Sequence, residues 1–301
     1  MDGILPLWKP KGMTSHDCVF KIRKLLKTKK VGHTGTLDPE VEGVLPICIG
    51  QATKIVPFLT NTKKTYIAEV SLGTATDTED AYGQVVDQKP VSNPPDQKEI
   101  IEVLKSFEGV ITQVPPMYSA VKVNGKKLYE YARANQKVER PERQVTIFEI
   151  KLIGRETNNS FKLKVTCSKG TYIRTLCVDI GARIGYPAHM SDLIRTETGS
   201  FSEKDTYTFD EIEQAIESEQ QDNILLPIAR GITQLDQLTV NEEIMRKVLN
   251  GQKLAKPDKR LSTDPFAVMY DNHVLAIYQT HPEKDDQIKP VRVFQVDKKK
   301  V

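Results

Sequence analysis

The sequence predicts an α+β protein in two parts, a larger mixed unit followed by a small unit of short strands. Two clean alternations predict the first part. Residues 65–72 place Tyr66, Ala68, Val70 and Leu72 on one side, and residues 161–167 do the same with Phe161, Leu163, Val165 and Cys167. Each is the period-two pattern of a half-buried strand. The second alternation passes through Lys169-Gly170 into a helical stripe of Ile173, Leu176, Cys177, Ile180 and Ile184. That strand–turn–helix puts Arg174 near the start of a helix. The runs PFAVMYD, HVLAIYQ and VRVFQV predict the second part, with room for about six short strands in a small barrel.

The other elements follow in chain order. Residues 15–27 read as a helix with Ser15 as its cap and Val19, Ile22, Leu25 and Leu26 as its apolar stripe. Lys21, Arg23, Lys24 and Lys27 form its other face. Residues 96–108 read as a helix with Ile100, Leu104 and Phe107 in register and Gly109 as the stop. The stretch before it, Pro90–Gln97, is turn-rich. A further helix follows Asp210 through Ile212 and Ile216, and another spans 241–249, closed by Gly251. The stretch before 241 predicts a boundary near residue 236, giving units 1–236 and 237–301. The chain ends in a basic tail, Lys298-Lys299-Lys300.

With 301 residues and 39% hydrophobic content, the chain has enough apolar material for a sizeable core. No apolar run approaches the roughly 18 residues of a membrane span, and the first residues do not read as a secretory signal. A cytoplasmic protein without membrane contact is the expectation. None of the four cysteines stands in a CxxC pair, so reduced, buried thiols are expected rather than a zinc site. The net charge of +3 hides an asymmetry. Residues 9–30 hold eight cations against one acid, Asp17, whereas residues 77–102 hold seven acids. A basic block directly before a loop bearing a carboxylate suits a polyanionic substrate.

That loop is GHTGTLDPEVEGVLPICIGQATK, residues 32–54. Pro39 biases Asp38 away from helical backbone. Gly32, Gly35 and Gly43 permit tight turns or close approach of another chain. A nearly uncharged stretch follows. The pattern holds one acid, Asp38, on a shaped loop.

This segment resembles the catalytic loop of the TruB family of tRNA pseudouridine-55 synthases, in its bacterial, stand-alone form. Five other segments agree in order: WKPKGMTSHD at 8–17, KTYIAEVSLGTATDTEDAYG at 64–83, QVPPMYSAVKVNGKKLYEYAR at 113–133, CSKGTYIRTLCVDIG at 167–181 and LIRTETGSF at 193–201. The resemblance covers residues 1 to about 205 well. Beyond that, the chain resembles the small PUA-like RNA-binding domain of the family only loosely. The resemblance implies a catalytic domain with a mixed or antiparallel sheet, a PUA-like β-barrel domain, and isomerisation of uridine 55 in the tRNA T-loop. It implies no cofactor, no metal and no obligate protein partner. It also implies a monomer that recognises the T-arm stem–loop of tRNA.

Carried over position by position, Asp38 would be the catalytic carboxylate. It would attack the sugar or the base, or remove a proton from C2′. Arg174 would pair with it, since a nearby guanidinium favours a charged carboxylate. Tyr66 would stack on the target base and take part in proton transfer. Leu193, read within a helical stretch, would be an apolar pocket wall. His33 would contact the RNA around a flipped base. Lys9, Lys11, Lys64 and the 21–30 cluster would meet tRNA phosphates. Tyr118 and Lys122 would be RNA contacts on the 113–133 segment. The alternative is a non-catalytic tRNA-binding or tRNA-folding factor that uses the same basic surface. The coexistence of Asp38, Tyr66 and Arg174 favours the enzyme.

Overall fold

In the computed structural model, which describes residues 1–295, a nine-stranded mixed sheet forms the body. Its order is Gly3–Lys9, Glu42–Ile49, Ala188–Thr198, Lys64–Leu72, Ser160–Cys167, Arg143–Arg155 and Gly109–Gln113, with two short strands added beside this path. All these pairings are antiparallel except that of Ala188–Thr198 with Glu42–Ile49. The Lys298–Lys300 tail lies outside the described residues.

The two alternations form the strands expected of them. Ala68, Val70, Leu163 and Val165 are buried in one core with Ile173, Leu176 and Ile180 of helix Ile173–Ile184 and with Ile100 and Leu104 of helix Gln97–Lys105. Burial of each such side chain is worth about 1.5–3 kcal/mol.

The uncharged stretch after Asp38 is buried on both faces. Leu45, Ile47 and Ile49 pack with Leu5 and Leu7 against Val19, Ile22 and Ile212. The alternate residues Val44 and Cys48 join Ile4 on the opposite face, in contact with the C-terminal unit. A strand covered on both sides loses its polar alternation, which accounts for the run VLPICI.

Several helix ends differ from the sequence expectation. Helix Ser15–Leu25 is capped by Thr14, which forms a capping box with Asp17. Ser15 is buried instead, its hydroxyl committed to Leu37. Gly109 does not stop the second helix, which ends at Ser106; Gly109 opens the next strand with φ +98°. Helix Ile173–Ile184 ends as its Gly185 demands, in a left-handed cap. Its start has no side-chain cap, and the buried amide of Gln113 braces Tyr172 there, accepting from its N–H at 3.0 Å and donating to its carbonyl at 3.1 Å.

The C-terminal unit is a five-stranded sheet in the order Gln237–Thr239, Phe266–Tyr270, His273–His281, Lys284–Val293 and Leu254–Ala255. It has one strand fewer than expected. Of the run VRVFQV, Val291, Arg292 and Val293 form only the end of a longer strand, because the charged stretch Lys284–Lys289 pairs with His273–His281 through backbone bonds that the apolar pattern does not reveal. Ala267, Met269, Val274, Ile277 and Phe294 close against Ile4, Val44, Ala52 and Ile55 of the body.

All four cysteines are free and buried, and burial pushes the Cys48 thiol up to about 12. Among the described residues no helix is long and apolar enough to cross a membrane.

Candidate active site

The loop between strands Val31–His33 and Glu42–Ile49 carries Asp38 and is clamped at several points. Ser15 Oγ receives the Leu37 N–H at 2.9 Å and donates to the Leu37 carbonyl at 3.2 Å. Lys9 Nζ donates to the carbonyls of Pro39, Val41 and Pro10 at 3.0, 2.7 and 2.9 Å. Arg195 reaches the loop from the neighbouring strand, with Nε donating to Val44 O at 2.8 Å and Nη2 to Gly35 O at 3.2 Å. Lys9 and Arg195 are 0% and 1% exposed. Buried charges survive when their donors are satisfied, and here the acceptors are backbone carbonyls of the loop and its flanks.

Two of the three loop glycines are required by the backbone. Gly35 has φ +84°. Gly43 has φ +124°, and a Cβ there would lie 2.2 Å from the Arg195 carbonyl. The parallel pairing of Arg195 with Gly43 creates that close approach. Gly32 has neither constraint: its nearest neighbour to an added Cβ is a Val56 methyl at 3.6 Å.

Arg174 comes from the first turn of its helix and meets the loop from the other side. Its Nη2 lies 3.0 Å from Asp38 Oδ2 and donates to Tyr118 O at 2.9 Å. Its Nη1 donates to Thr78 O at 2.9 Å and lies 3.8 Å from Asp80 Oδ2. The Arg174 side chain is 7% exposed and that of Asp38 is 47% exposed. A rigid guanidinium thus spans three loops and holds one carboxylate oxygen, a geometry that suits arginine and not lysine. Among the described residues no other donor reaches the Asp38 carboxylate.

The pair stands between two recesses. The first, of about 300 Å³, has Leu37, Val41, Tyr66, Ile173 and Leu193 as its apolar and aromatic walls. The second, of about 260 Å³, is bounded by Tyr82, Tyr118, Met190 and Asp192. Asp38, Val41, Arg174 and Leu193 border both. Tyr66 and Arg195 are paired across neighbouring strands, as are Ala68 and Leu193. Burial raises the Tyr66 phenol above its usual pKa, opposed by the nearby Arg195 guanidinium. A flat ring entering the first recess meets Tyr66 and Leu193 on its walls and Asp38 at its edge.

The remaining candidates separate into two groups. Leu193 lines the recess from strand Ala188–Thr198, not from a helix. That strand breaks its alternation at two register shifts, Met190/Asp192 and Arg195/Glu197. Tyr118 supplies a wall of the second recess and a carbonyl to Arg174. Lys11 stands at the rim of the second recess, 2.6 Å from Asp192. Lys122 is exposed on a short hairpin. His33 is half-buried outside the recess lining, with Nδ1 unpartnered and its pKa lowered by burial. Lys9 and Lys64 do not present free ammonium groups to phosphate. Lys9 is spent on the Asp38 loop, and Lys64 Nζ donates to Thr60 O and Thr62 O, both at 2.7 Å. Burial lowers Lys64 to about 8. Neither Lys9, inside the basic block, nor Lys64, beside Lys63, carries a sequence sign of this burial.

Arg195 and Asp80 were not singled out from the sequence, and Ser15 only as a helix cap, although each lies in a segment that carried the resemblance. The signal available for Arg195 was a cation directly after the apolar pair Leu193-Ile194.

Comparison with known proteins fits this geometry. The sequence model for the TruB family pseudouridylate synthase N-terminal domain matches residues 23–173, and that for the tRNA pseudouridylate synthase B C-terminal domain matches residues 174–238. The tRNA pseudouridine synthase B of Oceanobacillus iheyensis is 62% identical over 100% of both chains. That of Bacillus subtilis is 53% identical over 98% of each. Among solved structures, a Cbf5–Nop10–Gar1 complex aligns with TM-score 0.75 and 28% identity, covering 98% of this chain and 84% of the matched one. An H/ACA ribonucleoprotein bound to a substrate RNA containing 2'-deoxyuridine aligns with TM-score 0.74 and 26% identity, over 98% and 85%. These chains share the mixed-sheet body and the curled C-terminal sheet, and the chain belongs to the TruB family of pseudouridylate synthases.

Proposed function

We propose that this chain converts uridine 55 in the T-loop of tRNA to pseudouridine, with Asp38 as the catalytic carboxylate. The observation that carries the reading is the Asp38–Arg174 pair at 3.0 Å, set at the edge of a recess walled by Tyr66 and Leu193. The relatives named above act on tRNA as pseudouridine synthases, and the site has the parts such a reaction needs.

The target nucleotide leaves the T-loop stack, at a cost of a few kcal/mol. Its uracil stacks on Tyr66, a contact worth roughly 1–3 kcal/mol in comparable single-strand sites. The C1′–N1 bond breaks, the base turns, and C1′ bonds to C5. C5 then gives up its proton and N1 gains one, so the product is an isomer. Arg174 fixes Oδ2 of Asp38, leaving the other oxygen for covalent attack or for removal of the C2′ proton. Residues 1–236 carry this chemistry, and residues 237–301 add RNA-binding surface. The chain acts alone, as a monomer with tRNA as its partner and without a cofactor.

The test is to map pseudouridine in unmodified tRNA after incubation with the purified chain and no added cofactor or metal. Conversion confined to position 55 is expected. Conversion at another position, or none, contradicts the assignment.

A further inference from the structure

Glu79 is a non-glycine residue in left-handed backbone, with φ +65°. Such conformations are strained for a side-chain-bearing residue and persist where surrounding contacts impose them. Its contacts are specific. Glu79 Oε2 accepts the Thr175 hydroxyl at 2.7 Å, one residue along the helix from Arg174. Its backbone carbonyl accepts the Met190 N–H at 3.0 Å. The residues on either side, Thr78 and Asp80, both face Arg174, through a carbonyl at 2.9 Å and a carboxylate at 3.8 Å. The turn therefore fits the guanidinium only while Glu79 keeps this conformation.

Glu79 also faces the segment 114–142, which is exposed over about half its length. Arg140 closes the far end of that segment. Its Nη1 donates to Pro115 O at 3.0 Å, joining the two roots, and lies 4.0 Å from Glu79 Oε1. The near root carries Tyr118, whose carbonyl is a partner of Arg174. Between the roots lie Lys122, Lys126, Lys127 and Arg133, with two of these lysines and Arg133 set over Tyr129 or Tyr131. One half-buried carboxylate thus touches both the helix that aims Arg174 and the root of a basic, aromatic arm.

We propose that Glu79 is a positioning residue that latches the arm to the catalytic pair. Arg140 holds the arm root to Glu79, and Glu79 holds Thr175 and the turn that grips Arg174. Seating RNA on the arm then bears on the orientation of Arg174 and, through it, on Asp38. This rests on the proposed reaction and adds to it a mechanical link between RNA docking and the carboxylate. Energetic coupling through such a link is the physical claim, and a double-mutant cycle measures it.

The experiment uses the full chain and an unmodified T-arm stem–loop, with single-turnover rate and RNA dissociation constant measured separately. Glu79→Gln keeps an oxygen acceptor for Thr175 while removing the charge that faces Arg140. Arg140→Gln removes the other partner. Each is expected to slow the single-turnover rate roughly tenfold with less than about a twofold change in RNA affinity. The double variant is expected to be no slower than either single one. Arg140→Lys is expected to restore part of the rate lost in Arg140→Gln. Additive losses, rates within twofold of the parent, or a loss confined to affinity overturn the latch. A melting curve for each variant shows whether it is folded, and Arg140→Gln, at a half-exposed residue, keeps the test available if a Glu79 variant does not fold. If the parent makes no pseudouridine at position 55, the proposed function fails. If the parent is active and the variants match it, only the latch fails.

Discussion

The cleft around Asp38 and the seat of the C-terminal sheet both rest on buried residues, and they are built in opposite ways. The seat is apolar: Ile4, Val44, Ala52 and Ile55 against Ala267, Met269, Val274 and Ile277. The cleft is polar and irregular. Lys9 and Arg195 satisfy loop carbonyls from within the fold, and Arg174 gathers Asp38, Asp80 and two carbonyls. Hydrophobic contact is non-directional and tolerates small shifts in side-chain placement. Hydrogen bonds and charges weaken steeply when their geometry slips. The seat therefore holds a unit in place, whereas the cleft holds an atom in place.

Substitutions in the two regions should accordingly fail differently. Arg174→Lys replaces a fork with a point charge and cannot span Asp38, Tyr118 and Thr78 together. We expect the single-turnover rate to fall about 10²–10³-fold, with the melting temperature close to the parent. A rate within threefold of the parent would show that the fork is not needed. Arg195→Met leaves the buried Val44 carbonyl and the half-buried Gly35 carbonyl without their donor. Urea denaturation should show a loss of about 3 kcal/mol, with slower catalysis in the folded fraction because the Asp38 loop loses an anchor.

The seat should behave in the reverse way. Ile277→Ala removes buried methyl groups and should cost about 2–4 kcal/mol. The single-turnover rate of the folded variant at saturating RNA should be unchanged. A rate loss in Ile277→Ala as large as in Arg195→Met would abolish the distinction between the regions.

The smallest effect tests charge crowding behind Arg174. Burial and the neighbouring Glu79 carboxylate push Asp179 up from 3.8 to about 6. Between those values the folded chain keeps a proton that the unfolded chain has released. Asp179 therefore makes stability fall as pH rises from about 3.8 to 6. Melting temperatures of Asp179→Asn should lack this contribution, approaching the parent near pH 3.8 and exceeding it above pH 6. Parallel curves across that window would place Asp179 in a solvated setting.

The same contrast governs what could be read from sequence. Strands Lys64–Leu72 and Ser160–Cys167 and helix Ile173–Ile184 were legible because their apolar residues keep a regular period. The meeting of Asp38, Tyr66, Leu193 and Arg174 was legible through the family resemblance, not through periodicity. Lys9 and Lys64 were read as phosphate contacts, yet their ammonium groups are used inside the fold. Burial of a cation depends on carbonyls brought in by distant segments, and local sequence does not encode that. Strand Ala188–Thr198 was obscured by its two register shifts. Gly43 was legible as a close-approach glycine, but the strand that approaches it, the one bearing Arg195, was visible only in the structure.

The central claim is that the carboxylate held by Arg174 performs the chemistry. The direct measurement compares the parent and Asp38→Asn on one unmodified tRNA, scoring pseudouridine at position 55 alongside RNA affinity. The variant keeps the shape of the side chain and a hydrogen-bond acceptor, so RNA affinity should stay within a few-fold of the parent while pseudouridine formation disappears. Pseudouridine formation by Asp38→Asn at near the parent rate would contradict the account.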